Sequence, residues 1–305
     1  MVENILTVGN NVLVLFVLIA VGFAANKLKI LTDKSVKDMT EFVLYIVTPC
    51  VIINSYQREF DKEMLLGLGI TVLASFLSFA ANILITHLFV RDKDKRKEKT
   101  LRFGAVFSNC GYMSLPLQAA VLGDLGVFYG ATYVAVFQIM LWTYGVIVMS
   151  GGANGISIKK VFINPGVIST VIGVLFFVCS IALPYAIHEP VKHLAALNTP
   201  IPMVIVGFHL AGASLKIKGV SSYVSMFIRL IVSPALMILG LKAAGITGVI
   251  MVACTIAASS PVAAATTMFS EKFGGDTSLS ATMVSVTTII SIITMPLIVA
   301  FSQTL

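Results

Sequence analysis

The sequence predicts an all-α integral membrane protein: ten transmembrane helices in a 5+5 inverted-topology repeat, with broken crossover helices at the fourth and ninth positions. Three observations lead there. The 305 residues are 57% hydrophobic and only 11% charged, with a mean hydropathy of +0.97, whereas a soluble domain is about one quarter charged. Ten apolar stretches are each long enough to cross a hydrocarbon core of about 30 Å at 1.5 Å per residue. The basic residues concentrate in alternate loops, as in a chain threaded through a bilayer. A large soluble helical protein would need polar helix faces, and these stretches have none.

The stretches fall near 5–27, 38–56, 64–90, 101–123, 126–150, 165–187, 191–214, 221–241, 246–270 and 277–301. The first begins within "MVENILTVGN", which carries Glu3 and no positive charge. No small-x-small cleavage site follows, so it reads as a retained spanning helix. The second holds Thr48, Pro49 and Asn54, and the third ends near His87, an interfacial position before the run "RDKDKRKEKTLR" at 91–102. The fourth contains "FSNCGYMSLPL" (107–117). Gly111 and Pro116 predict an interruption there, because proline removes a backbone donor and glycine weakens a helix. After the fifth, "SGGANGISIKKVFINPG" (150–166) is the least apolar central stretch, and its Asn164-Pro165 suits an N-cap followed by a first-turn proline. The seventh carries Thr199, Pro200, Pro202 and His209, and the eighth carries Arg229. The ninth contains "AASSPVA" (257–263), a second predicted break.

An N-terminus placed outside puts sixteen of the 21 basic residues in cytoplasmic loops, among them the 91–102 run, Lys159 and Lys160. Four (Arg58, Lys62, Lys192 and Lys242) fall outside. The positive-inside rule then places both termini outside a cell inner membrane, with an even helix count. The net charge of +7 is a topology signal rather than a nucleic-acid footprint. The 91–102 run reads as a solvated topology anchor, with a grip on anionic headgroups as the alternative. Cys50, Cys110, Cys179 and Cys254 fall inside the stretches without metal-ligand spacing and read as small buried hydrophobes. Neither a metal nor a cofactor is expected.

The chain divides into halves of similar pattern, 1–150 and 151–305. "ATYVAV" (131–136) corresponds to "ATMVSV" (281–286) at an offset of 150, Thr48-Pro49 to Thr199-Pro200 at 151, and Pro116 to Pro261 at 145. Five spans per half is an odd number, so the second half enters from the opposite side, an arrangement typical of secondary transporters. Broken backbone at bilayer depth is tolerated only where it is buried in protein or lines a cavity. Two breaks at matching places are therefore expected to meet near the midplane and to form the binding site.

With "NCGYMSLP" in the fourth stretch and "SSPVAAATTMFSEKFGGD" leading into the tenth, the chain resembles the auxin efflux carrier family along essentially its whole length. The bacterial members of that family include malonate or malate permease-like proteins, and its plant members are the PIN-formed auxin carriers. The resemblance implies a scaffold of helices 1, 2, 6 and 7 (about 1–60 and 165–215) and a moving core of helices 3–5 and 8–10 (about 61–150 and 216–305). It also implies a homodimer, and it assigns Asn109 as the crossover asparagine and Pro116 and Pro261 as the crossover prolines. Plant carriers have a long loop between halves; about fifteen residues stand here, which points to a prokaryotic member.

Each half-helix that begins after a break presents unpaired N–H groups and a positive dipole end, a natural anion site. Asn109, Ser108, Ser114, Ser259 and Ser260 add neutral donors and acceptors beside Gly111 and Tyr112, although each serine could equally bond its own helix backbone. Thr48, Pro49, Asn54, Thr199 and Pro200 are expected to face the crossover. Arg229 could balance a substrate carboxylate, satisfy carbonyls of a broken helix or snorkel to the interface. His209 is the histidine placed for proton coupling, with a structural hydrogen bond as the alternative. No Asp or Glu lies deep in any stretch, which disfavours cation/proton antiport.

The leading expectation is a secondary carrier of small organic anions (mono- or dicarboxylates, or auxin-like carboxylates) working by alternating access, elevator-like, with H+ or Na+ coupling open. A sodium-coupled carrier of larger amphipathic acids, of the bile-acid-symporter kind, and a non-transporting membrane sensor are the alternatives. An enzyme is not expected: H-E-x-x-H, G-x-S-x-G and paired deep acids are all missing.

Overall fold

Helix starts follow the capping residues that the sequence offers. The computed structural model describes residues 2–152, 163–212 and 215–305, with side chains from residue 9 onward. Lys159 and Lys160 of the central linker lie outside the described residues. Helix α1 (Val2–Lys27) is followed by α2 (33–55), opened by a reciprocal capping box between Thr32 and Ser35. Asp61 accepts from Met64 N at 2.7 Å to start α3 (Lys62–Phe89), and Asp94 accepts from Arg96 N at 2.9 Å to start α4 (Lys95–Val106). Then come α5 (Cys110–Ser150) and α6 (Pro165–Val178), the latter capped by Asn164 Oδ1, which accepts from Gly166 N and Val167 N. They are followed by α7 (Tyr185–Ala196), α8 (Pro200–Gly212), α9 (Val220–Ala243), α10 (Gly248–Ser259) and α11 (Ala265–Phe273). The last helix, α12 (Thr277–Ser302), is capped by Asp276. Among the described residues the chain is all-helical, apart from one isolated antiparallel bridge.

Among the described residues, three of four widened π-turns have a visible cause; the fourth, Leu141–Gly145 in α5, has no proline directly after it. The turns at Val43–Val47, Cys110–Ser114 and Ile228–Val232 directly precede Pro49, Pro116 and Pro234. A proline ring clashes with the carbonyl four residues back and removes one donor. In each case the residue four back (Tyr45, Tyr112 or Leu230) lies inside the π-turn, so the helix loosens there instead of ending.

Among the described residues, six helical stretches are long and apolar enough to cross a membrane: Gly9–Lys27, Lys62–Phe89, Cys110–Ser150, Tyr185–Gly212, Val220–Ala243 and Thr277–Ser302. Helices α6 and α10 are apolar but shorter. The 41-residue α5 is interrupted at Gly123, whose φ of 64° is left-handed. A Cβ on Gly130 would meet the Gln118 side chain. In a straight helix those residues would be about 18 Å apart, so the two arms of α5 lie side by side.

The packing is that of a protein in lipid. Helix α3 buries Thr71, Ser75, Ser78, Asn82 and Thr86 on one face while Leu73, Leu77 and Leu84 stand more than half exposed on the other. Bilayer tails are as apolar as leucine, so helix association there depends on close approach of small residues. Helices α1 and α8 show it: a Cβ on Gly207 would run into Ile19 O, and one on Gly22 into Val204 O. An apolar cluster that includes Phe79, Phe103, Phe107 and Phe137 surrounds the interruption between α4 and α5.

Candidate functional site

Helix α4 ends at Val106, and Phe107 to Asn109 leave helical geometry before the π-turn that opens α5. Helix α10 ends at Ser259, and residues 260–264 separate it from α11. The two breaks bond each other. Ser108 and Val262 form the antiparallel bridge, Asn109 N donates to Pro261 O at 2.7 Å, and Ala263 N donates to Phe107 O at 3.0 Å. Thr287 of α12 accepts from Val262 N through its hydroxyl at 3.1 Å. Backbone groups released by one interruption are thus satisfied by the other, the condition for non-helical chain in a buried place.

The first break lies one turn earlier than the sequence suggested. Gly111, Tyr112, Ser114 and Pro116 all belong to the helical run after it, with Pro116 just past the π-turn, whose loosened backbone accommodates its ring and its missing N–H. Pro261, expected in the first turn of a half-helix, instead sits in the extended break. It has no N–H to leave unpaired there, its carbonyl serves Asn109, and it holds Ser260 in extended geometry at φ −61°, ψ 145°.

The buried polar atoms at this junction divide into satisfied and unsatisfied ones. Ser259 and Ser260 both donate to Ile256 O at 3.1 Å, so they bond their own helix end. Asn109 Nδ2 and Ser114 Oγ are buried without a hydrogen-bond partner. Ser108 Oγ lies beside the Cys110 thiol and the Tyr133 phenol without a well-formed bond. Thr266 Oγ1 of α11 is also unpartnered. Gly111 and Tyr112 are half-buried, and a Cβ at Gly111 would meet nothing within 4 Å, so this side of the junction borders open space. The first-turn N–H groups of α5 and α11 find no acceptor within their own helices; the chain just before each helix serves some of them, with Met113 N donating to Asn109 O at 3.0 Å, Thr266 N to Ala263 O at 2.9 Å and Thr267 N to Ala264 O at 3.2 Å.

Arg229, on the π-turn of α9, is 1% exposed and reaches neither solvent nor interface. Its guanidinium donates to Val106 O at 2.8 Å, to Ala105 O at 3.5 Å and to Ala258 O. Of the three roles open to it in the sequence, it therefore fills that of satisfying carbonyls, and does so for both broken helices.

The remaining expected residues are dispersed. Thr48 and Pro49 lie on α2 between Val47 and Val51, which share an apolar cluster with Cys110 and Tyr112. Pro200 opens α8 after the turn that holds Thr199, and Ile201 and Ile205 join the same cluster. Asn54 does not face the junction: its Oδ1 accepts from His188 Nε2 of α7 at 3.1 Å. His209 is not mid-helix but in the last turn of α8, exposed, with its ring edge-on to Phe208. Sequence reasoning missed Gln118, fully buried, which donates to Ala253 O of α10 at 2.8 Å and leaves Oε1 unpartnered. A lone amide two residues past Pro116 in an apolar run was the available signal. It also missed Asn198, buried beside Thr199 with an unpartnered Oδ1. Thr287 had no signal.

The profile of the family described as membrane transport protein matches residues 7–159 and 153–299, which take in both breaks. The chain is similar to an uncharacterized transporter of Methanothermobacter thermautotrophicus, 23% identical over 297 residues, covering 94% of this chain and 95% of that one. It is similar also to an uncharacterized transporter of Methanocaldococcus jannaschii, 23% identical over 297 residues, covering 94% and 96%. With its apolar helices and these matches along nearly its whole length, the chain is a multi-pass membrane transporter and belongs to the membrane transport protein family, that of the auxin efflux carriers.

Proposed function

We propose that the chain is a secondary carrier of small organic anions, mono- or dicarboxylates, and that the paired breaks are its binding site. The observation that carries this reading is the set of unpartnered donors, Asn109 Nδ2 and Ser114 Oγ, buried where two interrupted helices meet. A buried polar group without a partner is costly, and a ligand oxygen at this place would remove that cost. Two helix starts directed at the same region favour negative charge. In this reading the chain crosses an inner membrane ten times, with both termini outside, as two inverted five-helix halves. The segments at about 61–150 and 216–305 shift against a scaffold of about 1–60 and 165–215, in a homodimer, to expose the site alternately to each side. Support for a scaffold comes from the close glycine-mediated approach of α1 and α8, both of which lie within it.

The test is thermal stabilisation of the purified protein across a panel of mono- and dicarboxylates, since a ligand that binds the native state raises its apparent stability by mass action. A carboxylate that stabilises wild-type protein and is taken up by proteoliposomes supports the reading. A panel without effect, alongside stabilisation by cationic or neutral solutes, refutes it.

A further inference from the structure

Helices α4 and α10 each end in carbonyl groups that have no partner within their own helix, and a single side chain serves both ends. Arg229 donates from Nη1 to Val106 O and Ala105 O of α4 and from Nη2 to Ala258 O of α10. A helix C-terminus is equivalent to about half a negative elementary charge. Two such ends meeting away from water therefore present about one negative charge, which one guanidinium matches. The titratable groups facing Arg229 are the Tyr133 phenol and the Cys110 thiol, and among the described residues no carboxylate is within ion-pair distance of it. The partners of this buried cation are thus backbone carbonyls.

Carbonyls at the C-terminal ends of interrupted helices are the groups with which membrane carriers coordinate a coupling cation. We propose that Arg229 is a tethered cation: its guanidinium occupies the carbonyl site that a free alkali cation would otherwise fill, so ligand binding requires no sodium. The planar fork suits the arrangement, because it reaches two helix ends at once where an ammonium offers a point charge. A permanent positive charge behind the junction also leaves the N-terminal sides of α5 and α11 uncompensated, which favours an anion there. The sodium independence deepens the carrier reading above, whereas the tethered charge itself is tested without any transported substrate.

The experiment follows the thermal midpoint of the purified full chain, as wild type, Arg229→Lys and Arg229→Ala, in NaCl, KCl or choline chloride at equal ionic strength. Millimolar guanidinium chloride is the second probe. The wild-type midpoint should be the same in the three salts. Arg229→Ala should melt lower in choline chloride and recover in a saturable manner with guanidinium or Na+, and Arg229→Lys should fall between them. Recovery of this kind depends on filling a site, which a merely structural loss would not produce. A saturable, Na+-specific rise in the wild type overturns the proposal, as does an Arg229→Ala midpoint indifferent to every cation. If Arg229→Ala yields folded protein only when extracted with guanidinium, the proposal is supported. If it yields none even then, the wild-type salt comparison decides alone. Failure here leaves the carboxylate panel unaffected, and an inactive panel leaves this result standing.

Discussion

Asn109→Ala separates a binding amide from a structural one, because the two roles move stability and affinity in different directions. Asn109 is 5% exposed and its Nδ2 is unpartnered in the ligand-free protein. A buried donor in that state costs about 1–3 kcal/mol, so removing it should leave the thermal midpoint of the free protein unchanged or slightly raised. Its backbone N–H bond to Pro261 O is kept by alanine. With a carboxylate bound, the lost hydrogen bond to a charged partner is worth about 1.5–3 kcal/mol. At about 1.4 kcal/mol per tenfold, affinity should fall roughly ten- to hundredfold. In a thermal-shift assay at about 100 times the wild-type Kd, stabilisation of about 2.7 kcal/mol should drop to about 1.4 for a tenfold loss and to about 0.4 for a hundredfold loss. Gln118→Ala is the contrasting control. It breaks an existing bond to Ala253 O at 2.8 Å and should lower the midpoint of the free protein. Ser114→Ala, which removes an unpartnered hydroxyl, should leave stability intact and reduce affinity by less than Asn109→Ala. If Asn109→Ala retains wild-type affinity and uptake for an identified carboxylate, or destabilises the free protein as much as Gln118→Ala, the segment around Asn109 is only an irregularity in the helix and the site assignment fails.

Gly207→Val places a side chain where a Cβ alone would already run into Ile19 O. Because backbone of α1 cannot rotate away, the loss should exceed the roughly 1–3 kcal/mol of ordinary overpacking, read as a lower yield of monodisperse protein; wild-type yield and midpoint would refute the close contact. Cysteines introduced at Asp94 and Gln303 in a cysteine-free background should be labelled by an impermeant thiol reagent from opposite sides of the membrane. Labelling from one side would refute the proposed topology together with the inverted repeat. A cross-link between α2 and either interrupted helix should abolish uptake while ligand-induced thermal stabilisation persists, and full uptake by the cross-linked protein would count against relative movement of two bodies.

The sequence by itself determined whatever depends on neighbours a few residues away. Membrane character and helical class follow from long apolar stretches and sparse charge, and the Asn164-Pro165 helix start was legible because a cap and its donors lie within three residues. That the fourth and ninth stretches are interrupted could also be read, from "SNCGYMSLP" and "SSP". The exact register could not. Pro261 has two inexpensive positions, the first turn of a helix or an extended segment, and only the partner strand decided between them: Ser108 pairs with Val262, far away in sequence, while Pro116 came to lie inside a helical run behind a π-turn. Arg229 had three roles open to it until α4 and α10 brought Val106 and Ala258 to one place. His209 was settled by a contact it does not make. Gly207 must face α1, and two residues further along a helix with 3.6 residues per turn is about 200° around it, so His209 is turned away from that partner. Asn54 was claimed by His188, 134 residues distant. Caps and periodicity are written locally, whereas the partner of a buried polar atom depends on which distant backbone folding brings within about 3 Å of it, and that belongs to the tertiary structure alone.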